Sequence, residues 1–470
     1  MKWLVLGPEI YFFVVATVFL ILSMGHSNAR RDFATALFLS ALGVAVTLAT
    51  IRLEGSLVHG AYRVDLFSQV FKGLLSLGFF LVVCLCSNLN GIQEARHSEF
   101  YLFLATCTLG MMLLVSSVEL LTLYVALELT SYSLYALVPL RSGGGQQMEA
   151  GIKYFLSGIA TSALMLFGMA SLFAATQTTL VSELVLKLPG LLNSPLAFTG
   201  LLLTLCGFFF KLALFPFHVW APGVYQGAAN QVTAFLATAT KVTAMAMLAR
   251  LVSLSEGDSS LAHVLIALAI LSMTYGNLVA LVQKDFKRLL AYSAIAHAGY
   301  ALIGILSMNP TGYAAAVFYA LAYLTMTFTC FLVLVKVAFE GRDVAIVQLA
   351  GLHRRSPLLA TALMVGVFSL GGIPPTIGFT GKFLVFTAAM ERGYFLLVLI
   401  AMINVVVSLY YYIQVVRAAF VVVPDEELSP INLSAPATIL TVVMLIVIVM
   451  GGIFPRYLFQ LAQAAIQTLP

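Results

Sequence analysis

Long apolar runs separated by short polar segments dominate the chain. A membrane-spanning helix needs roughly 20 mostly apolar residues, and by that length the runs predict about fourteen spans. The seventh, at 197–219, carries Pro216 and Pro222 near its end, and the twelfth, at 357–390, carries glycines and prolines in its middle. Proline removes a backbone donor and clashes with the preceding turn, so we predict that both helices are broken. The pattern therefore predicts an all-α polytopic membrane protein with broken helices 7 and 12.

Composition supports a membrane protein and limits its chemistry. The 470 residues are 61% hydrophobic and 9% charged, with a mean hydropathy of +1.03, whereas a soluble domain carries about 25% charged residues. The five cysteines lie inside apolar runs with no CxxC pair, which argues against a disulfide framework, an iron–sulfur site or structural zinc. The chain also lacks a G-x-G-x-x-G fingerprint, a P-loop and a bis-histidine haem spacing. We therefore expect no cofactor and no metal in this chain, and free buried thiols.

Basic residues indicate the orientation, because cytoplasmic loops carry an excess of Lys and Arg. Numbering the loops alternately places eleven basic residues on one side, with every cluster among them: Arg30, Arg31, Arg96, Arg141, Lys284, Lys287, Arg288, Arg342, Arg354, Arg355 and Arg417. The other side holds seven: Lys2, Arg52, Arg63, Lys187, Arg250, Arg392 and Arg456. We therefore predict that both termini lie on the periplasmic side.

Charged groups inside the apolar runs are the candidate functional residues. A charge at the bilayer centre costs about 2.5–3.5 kcal/mol on insertion scales, so each one calls for a partner, water or a function. Lys72 and Lys336 lie near span ends, where we expect them to snorkel to the interface. The remaining groups, with two histidines able to titrate near neutral pH, are Glu128, Lys153, Lys211, Lys241, Lys382, His218 and His297.

Each candidate has a structural alternative. Lys153 can lie one turn inside its helix and snorkel to the surface. Glu128 can form a structural ion pair with a lysine, and His297 can be a hydrogen-bonded packing residue. Lys382 resists such an explanation most, because it follows a glycine- and proline-rich break. Broken helices at membrane depth are tolerated only around buried or water-filled cavities.

The spacing of these groups suggests an internal repeat, since paired broken helices are typical of inverted-repeat transporters. Lys211 and Lys382 are 171 residues apart, and Glu128 and His297 are 169 apart. Five helices separate the members of each pair, which gives the two units opposite topology. We predict N-terminal helices 1–3 at 1–98, a first repeat at 99–252, a second repeat at 253–421 and a C-terminal helix 14 at 422–470.

This arrangement favours proton transfer. A lysine beside a carboxylate holds its proton, and a desolvated lysine without that carboxylate releases it. Lysine and histidine side chains joined by water would then relay protons along the membrane midplane.

Four segments resemble one known family. LELTSYSLYAL with Glu128, FFFKLALFPFHVWAPGVYQGA with Lys211 and His218, VTAFLATATK ending at Lys241, and KRLLAYSAIAHAGY with His297 are similar to the antiporter-like subunits of respiratory complex I. The resemblance covers roughly residues 100–390. Of three similar types, the L type has a long lateral helix and the M type a glutamate in the broken twelfth helix. Here GIPPTIGFTGKF carries Lys382, which fits the N type.

The resemblance implies roles for the matching positions. Glu128 and Lys211 would form the control pair of a first half-channel, Lys241 the central relay, and Lys382 the terminal group. Lys153, His218 and His297 would be accessory sites. The chain departs from the family after YQG, where Ala228-Ala229-Asn230 replaces the usual Ser-Pro-Thr. We expect a differently shaped loop there, with Asn230 as a possible helix N-cap.

The resemblance also implies a setting. The protein would be a proton-translocating subunit in the membrane arm of a bacterial inner-membrane NADH:quinone oxidoreductase. FMN, iron–sulfur clusters, NADH and quinone would be bound by other subunits. Its partners would be a neighbouring antiporter-like subunit, small K-, J- and A-type subunits and the lipid bilayer, without nucleic acid. Two alternatives remain open: a subunit of a multisubunit cation/proton antiporter or membrane-bound hydrogenase, and a stand-alone transporter for a small solute.

Overall fold

The computed structural model describes residues 2–143, 145–255, 257–424 and 429–469, with the backbone alone for Lys2, Trp3 and Phe339. A short hairpin, β1 (Gly55–Leu57) and β2 (Tyr62–Val64), pairs antiparallel with Ser56 opposite Arg63. Over the described residues the α-helices are α1 (Gly7–Ser23), α2 (Ala29–Ala49), α3 (Leu66–Cys84), α4 (His97–Ser116), α5 (Leu120–Leu137), α6 (Gln146–Thr176), α7 (Val181–Lys187), α8 (Pro195–Leu212), α9 (Trp220–Gly227), α10 (Asn230–Val252), α11 (Ser259–Ala280), α12 (Phe286–Leu306), α13 (Pro310–Val337), α14 (Leu352–Arg355), α15 (Pro357–Gly371), α16 (Ile377–Glu391), α17 (Phe395–Phe420), α18 (Ala435–Ile453) and α19 (Arg456–Ile466).

The helix count confirms the predicted fold class. Within the described residues, thirteen helices are long and apolar enough to cross a membrane. Two shorter helices, α15 and α16, follow one another and form a fourteenth, broken span. The seventh span is broken too, since α8 ends at Leu212 and α9 begins at Trp220. Both breaks lie where proline and glycine predicted them.

Three helices form the centre of the molecule. The apolar windows of α10 and α12 are entirely buried and that of α13 is nearly so, whereas α1, α2 and α18 leave most of theirs exposed. A helix that is apolar on all sides is stable only when it is surrounded. Small Ala and Thr side chains along α10 let neighbouring backbones approach closely. The lysine-bearing helix α10 is therefore shielded by protein on every side.

Two five-span units follow one another in the same order. The spans α4, α5, α6, α8 with α9, and α10 are followed by α11, α12, α13, α15 with α16, and α17. An odd number of spans in the first unit gives the second the opposite direction, as predicted. The two lysines that are 171 residues apart nevertheless lie on different sides of their breaks. Lys211 is the penultimate residue of α8, before its break, whereas Lys382 is the sixth residue of α16, after its break.

Candidate functional site

The first break opens the C-terminal end of α8. Ala213, directly after the helix, has a φ of 57°, and the Phe215–Pro216 peptide bond is cis. The Phe215 amide then donates to the Ser272 hydroxyl of α11 at 3.0 Å. The chain thus leaves the helical path at Ala213. The Phe209 and Phe210 carbonyls accept from the amides of Leu214 and Ala213, whereas no amide of the described residues after α8 reaches the Leu212 carbonyl.

Lys241 reaches this open helix end from α10. Its ammonium donates to the Leu212 carbonyl and lies 5.5 Å from the centre of the Trp220 ring. The Trp220 indole donates in turn to the Phe210 carbonyl at 3.0 Å. Because a helix C-terminus carries partial negative charge, a cation is favoured there. Lys241 is therefore held by backbone, and among the described residues no carboxylate pairs with it.

Lys211 lies beside the same break without a hydrogen bond. It is buried, and among the described residues its Nζ has no hydrogen-bond partner, with the Tyr154 ring centre 5.9 Å away. Glu128 accepts a hydrogen bond from Ser162 at 2.5 Å. The two members of the expected control pair thus do not touch in this structure.

The second break presents a similar helix end to Lys382. Gly372, directly after α15, has a φ of 82°, and the Pro374–Pro375 bond is cis. The Lys382 ammonium donates to the Leu370 carbonyl at 2.8 Å and to the Gly371 carbonyl at 3.2 Å. It also lies 4.7 Å from the centre of the Tyr300 ring. A lysine again satisfies the terminal carbonyls of a half-helix.

His297 links three helices between these sites. Its Nδ1 is 2.6 Å from the Tyr319 hydroxyl of α13, and its Nε2 is 3.3 Å from the Tyr412 hydroxyl of α17. The Tyr412 hydroxyl is also 2.5 Å from the Ser293 hydroxyl. These contacts agree with a hydrogen-bonded packing residue, and they also form a chain of groups able to pass a proton.

Buried aromatic rings join the first break to the second. Tyr154 lies 4.7 Å from Trp220, and Trp220 lies 6.4 Å from Tyr225, measured between ring centres. Tyr225 of α9 and Tyr323 of α13 are both fully buried. On the other side, the His297 ring lies 5.6 Å from Tyr323 and 5.7 Å from Tyr300. The band runs in the order Lys211, Tyr154, Trp220, Tyr225, Tyr323, His297, Tyr300 and Lys382.

His218 and Lys153 lie apart from this band. The buried His218 ring is in the first break, 4.4 Å from the Tyr275 ring of α11, and its Nδ1 has no partner among the described residues. Lys153 pairs with Glu149 at 2.5 Å on the outer face of α6, and its side chain is 63% exposed. That position fits the alternative in which Lys153 reaches the surface.

A buried ion pair in the N-terminal helices was not foreseen. Lys72 is fully buried and lies 2.5 Å from Glu9 Oε1, so its predicted snorkelling is wrong. The Tyr62 hydroxyl donates to the same oxygen at 2.5 Å, and burial together with the Glu9 charge raises the pKa of Tyr62 well above its ordinary value. A carboxylate in the apolar run after Pro8 was the signal that could have revealed the pair.

Two residues counted as loop cations are also buried. Arg250, at the end of α10, donates to both Asp65 oxygens at 2.9 Å. Lys287, at the start of α12, lies 2.7 Å from Asp343 and donates to the Gln226 carbonyl at 2.9 Å. Both are fixed within the protein and do not face solvent.

Asn230 does not cap α10. The helix begins at Asn230 itself with Ala229 as its N-cap residue, and the Asn230 Oδ1 has no partner among the described residues. The prediction was therefore wrong by one residue. No group of three or more His, Cys, Asp or Glu side chains suited to a metal occurs in the described part of the chain. The five cysteines are free, four of them buried and Cys84 half-buried.

Comparison with known proteins places this geometry in a family. Residues 117–408 match the family described as NADH:quinone oxidoreductase/Mrp antiporter, TM. The NADH-quinone oxidoreductase subunit N 2 of Syntrophobacter fumaroxidans is 55% identical over 471 residues, covering 100% of both chains. The protein of the same name from Opitutus terrae is 44% identical over 457 residues, covering 96% of this chain and 95% of its own.

Solved structures agree. A chain of respiratory complex I from Thermus thermophilus with bound aureothin is 35% identical, with a TM-score of 0.84 over 97% of this chain and 99% of its own. A chain of the Mrp complex from Dietzia sp. is 18% identical with a TM-score of 0.88, over 100% and 97% respectively, and shares the fold. The chain belongs to the NADH-quinone oxidoreductase subunit N family.

Proposed function

We propose that this chain translocates protons as the antiporter-like subunit N in the membrane arm of NADH:quinone oxidoreductase. NADH oxidation and quinone reduction take place in other subunits and drive it. The observation that carries the proposal is the pair of buried lysines, Lys241 and Lys382, held on the open carbonyl ends of two broken helices. Neither has a carboxylate partner within ion-pair distance in the described part of the chain, and a shielded ammonium of this kind exchanges its proton more readily than one held by a carboxylate.

The proposed roles follow the order of the groups along the aromatic band, which Lys241 joins at the Trp220 ring. Lys211 receives a proton near Glu128, Lys241 is the central relay, and Lys382 is the terminal group. His297, with its bonded tyrosines, connects Lys241 to Lys382, with water filling the intervals. His218 and Lys153 are accessory positions that take up protons at the edges of the path.

Glu128 acts by distance. It accepts a hydrogen bond from Ser162 and does not pair with Lys211, and in the proposed mechanism its carboxylate approaches or leaves the ammonium as neighbouring subunits move. Approach stabilises the protonated lysine, and retreat favours transfer of the proton to Lys241, since attraction between opposite charges falls with separation.

The family places this chain with other complex I subunits. We propose that a neighbouring antiporter-like subunit and small K-, J- and A-type subunits contact it directly. FMN and the iron–sulfur clusters then belong to other subunits, and this chain supplies no cofactor ligand. The 18% identical Mrp chain is similar in fold alone and carries no argument for cation exchange.

The chain is a multi-pass membrane protein, and we propose that both termini face the periplasm of the bacterial inner membrane. The proposal rests on the excess of Lys and Arg in the loops assigned to the cytoplasm. Arg141 and Lys287, assigned to the cytoplasmic side, meet at Asp343 at 3.0 and 2.7 Å. On the opposite side, Arg250 lies 2.9 Å from Asp65. We also propose the division into 1–98, 99–252, 253–421 and 422–470, which the repeated order of the helices supports.

The test is proton pumping with NADH:quinone activity in membrane vesicles carrying the complex. We expect Lys211→Ala and Lys382→Ala each to reduce pumping strongly while the complex still assembles, because each removes one group of the path. Lys187→Ala, at a 44% exposed lysine that pairs with Glu183 and has no place in the proposed path, is the matched control and should pump normally. Normal pumping by both assembled path variants would reject the proposal.

A further inference from the structure

A polar pocket lies at one end of the molecule, where α3 and α13 end and α10 begins. It has a volume of about 380 Å³ and is lined by Asn88, Asn230, Gln231, Lys336 and Ser434 among others. None of the described residues that line it is acidic. The pocket therefore presents amides, hydroxyls and one ammonium to an occupant.

An apolar crevice joins this pocket. The crevice, of about 150 Å³, passes between Leu37 of α2, Leu332 of α13 and Leu440 of α18. It shares Ser87, Lys336 and Ser434 with the polar pocket, so the two spaces meet at the same side chains. The Lys336 ammonium donates to the Ser87 hydroxyl at 3.3 Å at this junction.

Two deeply buried amides in the pocket have unsatisfied oxygens. Asn230 and Gln231 are each only 2% exposed, and neither Asn230 Oδ1 nor Gln231 Oε1 has a donor among the described residues. The Gln231 amide group itself donates to the Asn88 carbonyl at 3.3 Å. A buried acceptor without a donor costs about 1–3 kcal/mol. An occupant with its own hydrogen-bond donors would satisfy both oxygens.

We propose that the pocket and the crevice together bind one anionic phospholipid with a hydroxyl-bearing headgroup, of the phosphatidylglycerol type. The phosphate lies at the Lys336 ammonium, and the headgroup hydroxyls donate to Asn230 and Gln231. An acyl chain follows the apolar crevice beside Leu440. Phosphatidylcholine fits less well, because it has no net negative charge and no headgroup donor.

This site would stabilise the helix that carries the central lysine. Asn230 and Gln231 are the first two residues of α10, eleven and ten positions before Lys241. A lipid bonded to both therefore fixes the start of α10 against α13 and α18. The binding site does not depend on the proton path, and it stands or fails separately.

The test counts phosphatidylglycerol bound to the purified complex by native mass spectrometry after delipidation and titration. Leu440→Trp fills the crevice, and we expect it to lose the bound lipid. Ile439→Trp, at a neighbouring residue that is 64% exposed, is the matched control and should retain it. Lys336→Gln should weaken binding about fivefold, since one basic residue near a lipid phosphate contributes about 1 kcal/mol.

Three results would overturn the proposal. The first is equal retention of phosphatidylglycerol by Leu440→Trp and Ile439→Trp. The second is equal retention of phosphatidylcholine and phosphatidylglycerol by the unchanged complex. The third is displacement of the lipid by millimolar inorganic phosphate, which would make the pocket an anion site without a lipid. The second and third use the unchanged complex and remain decisive if a variant fails to assemble.

Discussion

The two broken helices solve the same backbone problem with lysines from different helices. In each break a residue of positive φ directly follows the half-helix, Ala213 after α8 and Gly372 after α15. In each, a lysine ammonium donates to the last carbonyls. Lys241 arrives from the next span, α10, whereas Lys382 arrives from the second half of the same span, α16.

The difference shows what the repeat preserves. An open helix C-terminus carries partial negative charge and unsatisfied carbonyls wherever it occurs, so any lysine that reaches it is stabilised. The break must therefore be kept in both repeats, while the position that supplies the lysine is free to change. The order of the helices is therefore repeated although Lys211 lies before its break and Lys382 after its break.

The breaks also differ in what supports them. The first is tied to the other repeat, because Phe215 donates to Ser272 of α11. The second is tied to its own helix, because Gly378 donates to the Ser369 hydroxyl of α15 at 3.2 Å. The first break is thus coupled to movements between the repeats, and the second depends on a close approach between its two halves.

Gly378→Ala should have the largest effect, because a Cβ there would lie 1.9 Å from the Ser369 carbonyl oxygen. The backbone at Ser369 cannot move aside as the end of a flexible side chain can, so we expect the complex not to assemble. Gly223→Ala in α9 is the control, since a Cβ there meets open space. It should stabilise by up to about 1 kcal/mol, the helix preference of Ala over Gly. Blue-native gels and melting temperatures measure both, and equal assembly would contradict the close approach.

Lys72 is held by the Glu9 carboxylate, whereas the lysines at the breaks are held by backbone carbonyls. Glu9→Gln tests how much this ion pair stabilises the protein. Removing one partner of a buried pair leaves an uncompensated charge on Lys72, which costs about 3–5 kcal/mol. The double variant Glu9→Gln/Lys72→Met should recover most of that loss, as measured by the melting temperature of the complex. Additive losses would mean that the two side chains are not coupled in the assembled protein.

Lys382→Met and Lys211→Met should have different effects on the stability of the complex. Lys382 satisfies two carbonyls, so its removal should cost about 1–3 kcal/mol. Lys211 has no hydrogen-bond partner in the described part of the chain, so its removal should leave stability unchanged or raise it. Thermal unfolding of the two complexes measures the difference. Equal losses would show that Lys211 has a stabilising partner in the complex.

Ala213→Gly should produce the smallest change in the melting temperature of the complex. An L-residue in the left-handed region costs roughly 1–2 kcal/mol, and glycine removes most of that strain. We expect a small rise in melting temperature, and the reciprocal Gly372→Ala should lower it, since its Cβ would also lie 3.0 Å from Lys382 Cδ. If Ala213→Gly instead lowered the melting temperature, the packing of the alanine methyl would stabilise the protein by more than the backbone strain destabilises it.

Local chemistry could be predicted from the sequence, and packing between distant residues could not. Proline and glycine located both breaks, because their backbone restrictions act on their immediate neighbours. The Glu9–Lys72 pair was missed since helix packing brings residues far apart in the sequence together. Alanine normally avoids the left-handed conformation, so nothing in the sequence indicates that Ala213 adopts it. Asn230 was assigned as a cap because the start of α10 was displaced by one residue.

The central claim is that Lys241 gives up its proton and does not merely place a charge at the end of α8. Lys241→Arg tests it, because arginine keeps the charge and the donors but does not deprotonate in proteins. The measurement is the number of protons pumped per electron by the assembled complex in vesicles, with Lys187→Arg, at an exposed lysine outside the path, as the control. We predict that Lys241→Arg lowers this ratio while Lys187→Arg leaves it unchanged. An unchanged ratio in Lys241→Arg would contradict the account.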